Sequence, residues 1–297
     1  MSFQPKGIIP PIVTPIDDNG NINYKVLEEL SVHLIESGVH GLFPMGTTGE
    51  FYAVDEEEYR KVLETVKKAA AGRVPVYGGV NSISTRGALR LLKICEDVGM
   101  DAISVLTLMF ISQTQDELYQ HYKTIASHSS LPIVLYNNKP KTNITIEPST
   151  VVKLAKIENI VGVKDSTGDM TNTTEYIRLT RDNENFSVLL GRDTLIYAGL
   201  CCGAKGAIAS CANVAPRLTA DIYDKFMAGD LKGSLDAQFA LAPIRIISNM
   251  GTFPAVIKEG LVQQGINVGK CLDPIQRLKD DEIEKLRVVL REAGLIK

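Results

Sequence analysis

Eight short apolar runs, each released by Gly, Asn, Asp, Ser or Thr into a stretch with helical spacing, restrict this fold more than any other feature of the chain. The runs fall at residues 7–14, 39–45, 74–80, 101–107, 131–136, 160–164, 186–191 and 204–210. They are largely continuous rather than alternating, the pattern of parallel strands covered on both faces. Between them Leu27, Leu30 and Leu34, then Tyr59, Val62, Leu63 and Val66, then Ala88, Leu91, Leu92 and Cys95 recur at the spacing of one helix face. Asp55 with Glu58 and Thr114 with Glu117 have the form of capping boxes. Short helices are expected over 150–157 and 195–202. Eight strand-then-helix units predict an α/β fold, a (β/α)8 TIM barrel. From Pro216 onward no strand pattern returns, and helical pattern broken near Gly229-Asp230, Asn249-Met250-Gly251 and Gly265 predicts a C-terminal helical extension. The expected organisation is a barrel over 1–215 with an extension over 216–297, both parts of one structural unit. An open doubly wound sheet is the competing topology. Against it, no G-x-G-x-x-G follows the first run, where a dinucleotide site would show one.

Of the 297 residues 44% are hydrophobic and 23% charged, which suits a globular enzyme with a sizeable core. The formal charge of −3 and the lack of any Lys/Arg cluster argue against nucleic acid or an anionic membrane as partner and leave small molecules. No apolar run reaches about 18 residues, and Met1-Ser2-Phe3-Gln4-Pro5-Lys6 lacks the order of a signal peptide, so a cytoplasmic location is expected. Cys95, Cys201, Cys202, Cys211 and Cys271 are odd in number and form no C-x-x-C, and all five are expected to be reduced packing residues. His33, His40, His121 and His128 form no metal-binding motif, and no G-x-S-x-G occurs; neither a metal nor a cofactor is expected.

The strand exits of a barrel share one mouth, and here they bring together Thr14, Thr47, Thr48, Tyr136, Lys164, Asp193 and Ser210. The run Ile160-Val161-Gly162-Val163-Lys164 ends on the only lysine so placed. Lys164 is either anchored to a carboxylate, with Asp165 next to it, or a working amine. A free lysine is uncharged in only roughly one molecule in 2,500 at pH 7, so a nucleophilic amine needs burial or a nearby cation. Tyr136 reads either as a core aromatic with a bonded hydroxyl or as a proton carrier. Thr47 and Thr48 either close a turn or hold a substrate, and Glu50 reads as structural.

Gly46-Thr47-Thr48-Gly49-Glu50, Tyr136-Asn137 and Gly162-Val163-Lys164-Asp165-Ser166-Thr167-Gly168, in that order and spacing, resemble the dihydrodipicolinate synthase and N-acetylneuraminate lyase superfamily. The resemblance spans essentially the whole chain, including Gly206-Ala207-Ile208 and the helical tail. It implies a (β/α)8 barrel, usually a homotetramer, that forms a Schiff base between Lys164 and pyruvate. It further implies that Tyr136 relays protons, Thr47 positions Tyr136, Thr48 with its backbone amide binds the pyruvate carboxylate, and the Ile208 carbonyl lines the pocket. An iminium is an electron sink that lets the neighbouring C–C bond form or break without a metal.

Two positions depart from the synthase branch. Phe110 stands where a tyrosine from the neighbouring subunit completes a hydroxyl relay, and a phenyl ring cannot pass a proton. Lys141 stands where an arginine binds the carboxylate of aspartate semialdehyde; it keeps the charge and loses the planar fork. Gly191-Arg192-Asp193 and Ile208-Ala209-Ser210 resemble the G-x-D and I-x-S segments of sialic acid lyase, and Phe51-Tyr52 resembles the 2-keto-3-deoxy sugar acid aldolases. Asp193 also reads as a helix cap, and Ser210 as a packing residue. The expectation is therefore a class I pyruvate aldolase, a carbon–carbon lyase acting on a 2-keto-3-deoxy sugar acid or related 4-hydroxy-2-oxo acid. Its expected catalytic residues are Lys164, Tyr136 and Thr47, and its substrate-binding residues Thr48, Ile208, Gly191, Asp193, Ser210 and Lys141. The alternatives are 4-hydroxy-tetrahydrodipicolinate (dihydrodipicolinate) synthase, a hydratase, dehydratase or decarboxylating variant on the same imine, and a catalytically silent ligand-binding barrel.

Overall fold

Each apolar run pairs in parallel with the next because the helix between them carries the chain back to the same edge of the sheet. In the computed structural model, which describes residues 3–297, seven runs are strands: β1 (Gly7–Ile9), β2 (Tyr77–Val80), β3 (Ala102–Leu106), β4 (Ile133–Asn137), β5 (Ile160–Asp165), β6 (Ser187–Leu190) and β7 (Gly206–Ile208). Every pairing is parallel, and the order is β1-β7-β6-β5-β4-β3-β2. The run at 39–45 lies between the two open edges. Phe43 bridges to Pro11 beyond β1, and Leu42 bridges to Val76 before β2, both in parallel. The Ile12 N–H donates to the Phe43 carbonyl at 3.0 Å and the Tyr77 N–H to the Leu42 carbonyl at 2.8 Å. A full strand is not reached there, since Pro10, Pro11, Pro44 and Pro75 have no N–H to add to the ladder. The fold is a (β/α)8 barrel whose second strand is reduced to its bridging residues.

Closure is visible in the packing. Ile9, Phe43, Tyr77, Ala102, Val134, Val161, Leu189 and Ile208, one residue from each of the eight runs, form a separate buried cluster that fills the barrel. The larger core lies between the strands and the surrounding helices. Both expected capping boxes form, Asp55 with Glu58 ahead of the helix Glu56–Ala70 and Thr114 with Glu117 ahead of Gln115–His128. The helical C-terminal region comprises Pro216–Met227, Leu231–Ile247, Ala255–Gln263 and Asp280–Glu292. Packing accounts for only three of the cysteines: Cys95, Cys211 and Cys271 are buried, whereas Cys201 and Cys202 are exposed at the end of the helix Ile196–Cys201. Among the described residues no helix is long and apolar enough to cross a membrane.

One buried ion pair ties the C-terminal region to the mouth of the barrel. Glu50 and Lys258 are 0% and 1% exposed, with Nζ 2.5 Å from Oε1. The Leu272 N–H donates to Glu50 Oε2 at 2.7 Å, and Lys258 Nζ donates to the Lys270 carbonyl at 2.8 Å. Removing one partner strands the other charge away from water, which costs more than the pair itself contributes. Lys258→Met is therefore expected to lower unfolding stability by about 3 kcal/mol in a urea titration, and Glu50→Gln/Lys258→Met to recover part of it. A loss below about 1 kcal/mol in the single variant would contradict this account.

Candidate active site

The orientation of Lys164 depends on a one-residue irregularity in β5. Ile133 of β4 stands opposite Ile160, but Val134 stands opposite Gly162, so Val161 is an extra residue on the β5 side. Unshifted pairing would set Lys164 opposite Asn137, whose side chain faces the outer helices through Tyr176. With the shift Lys164 is opposite Tyr136, and both face into the barrel. A slip of one residue reverses every side chain beyond it, and bulges serve to re-aim a side chain. Gly162 permits the close approach: a Cβ there would lie 2.5 Å from the Ser187 carbonyl oxygen.

Lys164 is 4% exposed, and its Nζ lies 4.0 Å from the Tyr136 ring centroid and 5.4 Å from that of Phe43. Among the described residues it forms no ion pair. Asp165 points the other way. Its oxygens accept from Asn137 Nδ2 and the Thr167 N–H at 3.1 Å, Asn172 Nδ2 at 3.0 Å and Thr173 Oγ1 at 2.7 Å. The anchored-lysine reading therefore loses its candidate partner. The Tyr136 hydroxyl is 3.3 Å from Thr47 Oγ1 and accepts from Asn138 Nδ2 at 2.9 Å. Burial alone would push this phenol up, but the Lys164 charge beside it and the Thr47 hydroxyl outweigh burial and pull it below the usual tyrosine value.

The loop carrying Thr47 and Thr48 is held rigidly. Met45 and Glu50 at its ends have φ of 58° and 56°, left-handed conformations that cost energy in any residue but glycine. Asn81 Nδ2 donates to the Met45 carbonyl at 2.8 Å, the Thr14 hydroxyl donates to the Gly49 carbonyl at 2.6 Å, and Lys258 holds Glu50.

All nine residues expected at the site line one cavity of about 490 Å³ at the mouth: Lys164, Tyr136 and Thr47 with Thr48, Ile208, Gly191, Asp193, Ser210 and Lys141. Asn138, Ser166, Arg192 and Arg245 line it too and were not anticipated. Asn138 follows Tyr136 closely in sequence and Arg192 lies within the G-x-D segment, but nothing local marks Arg245 on the helix Leu231–Ile247. Thr14 supports the loop from below without lining the cavity, and Phe110 is 93% exposed on the loop after β3, outside the chain's own cavity. Asp193 is 1% exposed and already engaged. Its Oδ1 accepts from the Cys211 N–H at 2.7 Å, and Oδ2 lies 3.3 Å from Ser210 Oγ and 3.4 Å from Arg245 Nε. Gly191 makes room, since a Cβ there would fall 1.9 Å from Ser166 Oγ. A larger groove of about 1010 Å³, lined in part by Lys6, Phe186 and Lys205, opens at the opposite end of the barrel and holds none of these residues. Among the described residues no three His, Cys, Asp or Glu side chains are grouped to hold a metal ion.

The dihydrodipicolinate synthetase family model matches residues 4–293. A 4-hydroxy-tetrahydrodipicolinate synthase from Thermodesulfovibrio yellowstonii is 38% identical over 98% of this chain and 99% of its own length. A dihydrodipicolinate synthase from Thermotoga maritima superposes with a TM-score of 0.95 at 31% identity, covering 98% of this chain and 99% of that one. A chloride-inhibited dihydrodipicolinate synthase from Acinetobacter baumannii, complexed with pyruvate, superposes with a TM-score of 0.94 at 33% identity and the same coverage.

The β5 irregularity can be tested without altering any group in the cavity. Gly162→Ala forces the strand away from Ser187 and displaces Lys164, and a shift of about 1 Å at a reacting atom costs about 100-fold. The borohydride fixation of pyruvate that the family resemblance implies should slow by that order while far-ultraviolet circular dichroism stays that of a folded barrel. Unchanged fixation in the variant would show that the irregularity does not govern the lysine.

Proposed function

The chain belongs to the dihydrodipicolinate synthetase family, and on that premise we propose that it joins pyruvate, held as a Schiff base on Lys164, to a short aldehyde bearing a carboxylate. It is an enzyme of the carbon–carbon lyase type with class I pyruvate aldolase chemistry. The acceptor reading follows the activity named for its relatives, 4-hydroxy-tetrahydrodipicolinate synthase, with aspartate semialdehyde as the aldehyde. One observation carries it: the cavity wall above Lys164 presents Lys141, Arg192 and Arg245 against a single carboxylate, Asp193, which Arg245 and the Cys211 N–H already satisfy. A neutral polyol gains little from three cations and would compete with bonds Asp193 has made. The expected sugar-acid substrate rested on Asp193 and Ser210, on Phe51-Tyr52 and on the departures at Phe110 and Lys141; with Asp193 engaged and the relatives named as synthases, the synthase alternative is the better-supported reading.

The residues divide the chemistry as follows. Lys164 Nζ, as the free amine, adds to C2 of pyruvate, and loss of water leaves an iminium. Thr48 and its backbone amide hold the pyruvate carboxylate. The Tyr136 phenol gives its proton to the departing carbinolamine hydroxyl, and the phenolate so formed takes a C3 proton to leave an enamine, whose C3 attacks the aldehyde carbon. The Tyr136 phenol, oriented by Thr47 and Asn138, delivers the proton to the new alkoxide. The amine of aspartate semialdehyde then adds to the iminium carbon, and breaking the C2–Nζ bond closes the ring of the product and frees Lys164 as the amine. Phe110 brings no hydroxyl to this relay. The homotetramer belongs to the same proposal, with Phe110 and Ile111, 93% and 65% exposed, forming an apolar tip for another subunit to cover.

With pyruvate and borohydride, the wild-type protein should gain a permanent adduct that mass spectrometry places on Lys164 and that Lys164→Met lacks; an adduct persisting in the variant would remove Lys164 from the mechanism. Wild type should condense pyruvate with aspartate semialdehyde faster than it releases pyruvate from 2-keto-3-deoxygluconate, and the reverse order would restore the sugar-acid reading. Thr47→Val removes a hydroxyl that lowers the Tyr136 phenol, so the phenol rises. The alkaline fall of kcat/KM, where Tyr136 loses its proton, should move to higher pH, and the neutral rate should drop by roughly 100-fold. An alkaline limb that stays in place would separate Thr47 from the proton relay.

A further inference from the structure

We propose that Arg192 determines acceptor specificity, its guanidinium receiving the aldehyde's carboxylate at two points. This rests on the carboxylate-bearing acceptor of the preceding section and assigns the residue that reads it.

Arg192 directly follows the exit of β6, between Gly191 and Asp193, and lines the cavity with Lys164 at its floor. Its side chain crosses Gly168 at the exit of β5. A Cβ on Gly168 would lie 3.0 Å from Arg192 Nε, and the glycine has φ of 80°, so the arginine side chain passes closely over bare backbone there. The two cavity arginines differ in their partners. Arg245 lies 3.4 Å from Asp193 Oδ2 and donates to Asn249 Oδ1 at 3.0 Å. Among the described residues the Arg192 side chain has neither a hydrogen-bond partner nor an ion pair, which leaves its donors for a ligand. Burial and then the charge of Arg245 press its ionisation downward, with Asp193 acting in the other direction. A carboxylate arriving from the cavity would relieve that strain. Lys141, whose side chain is likewise unpaired among the described residues, lies exposed on the short helix Lys139–Thr142 and offers a point charge, whereas a guanidinium matches both oxygens of a carboxylate in one plane. The fork that Lys141 lacks is therefore present from a different strand.

The test compares succinate semialdehyde with butanal, two short aldehydes of which only the first carries a carboxylate, as acceptors for pyruvate in wild type, Arg192→Met, Arg192→Lys and Lys141→Met. The ratio of kcat/KM for succinate semialdehyde over butanal should fall by about 10- to 100-fold in Arg192→Met, mostly through KM for the aldehyde. Arg192→Lys should recover only part of it, and Lys141→Met should lose less than Arg192→Met. Continued borohydride fixation of pyruvate by Arg192→Met identifies a folded site. A ratio unchanged in Arg192→Met, or one that collapses only in Lys141→Met, overturns the assignment to Arg192 and leaves the carboxylate-bearing acceptor standing. A wild-type enzyme that fixes pyruvate yet shows no preference for succinate semialdehyde defeats the acceptor reading itself and this assignment with it.

Discussion

Everything proposed for this protein depends on which face of β5 carries Lys164. The strand is apolar on both sides, as parallel strands inside helices are, so burial alone does not decide. What decides is the extra residue at Val161, made possible because Gly162 lets the chain run close to the Ser187 carbonyl. The same step that turns the lysine inward turns Asp165 outward into the hydrogen bonds of Asn137, Asn172 and Thr173. One local irregularity thus separates a cation from its neighbouring carboxylate and leaves it among aromatic rings and hydroxyls.

The second constraint is the buried Glu50–Lys258 pair. Parallel barrels leave their exit loops free to vary, and a loop with two left-handed non-glycine residues would not hold its shape unaided. Lys258, more than two hundred residues further along the chain, holds the end of that loop in a site with no exposure. The C-terminal helices are in this sense part of the active site's construction, since they bring both Lys258 and Arg245 to the mouth.

Electrostatics also bears on the two substrate readings. In sequence Asp193 and Ser210 look available for sugar hydroxyls. In space Asp193 is spent on Arg245, Ser210 and the Cys211 amide, and the cations around it outnumber it. A buried carboxylate with its lone pairs occupied orders the loop more than it recognises a ligand. The uncommitted charge is positive, and it faces the space an acceptor would fill.

By itself the sequence determined the repeating strand-and-helix architecture, both capping boxes and the three motifs at the mouth, because hydrophobic period and local hydrogen-bonding chemistry act over a few residues. It also suggested a complete second strand, which tertiary pairing reduced to bridges by placing prolines along both neighbours, and five packed cysteines, two of which are at the surface. Only the tertiary structure decided that Lys164 faces inward, that Asp193 is occupied, and that among the described residues the Arg192 side chain is unpaired while that of Arg245 is not. Each of those outcomes is a relation between residues on different strands or helices. The parity of one strand against its neighbour, and the partner a buried charge finds, exist only once the barrel has closed.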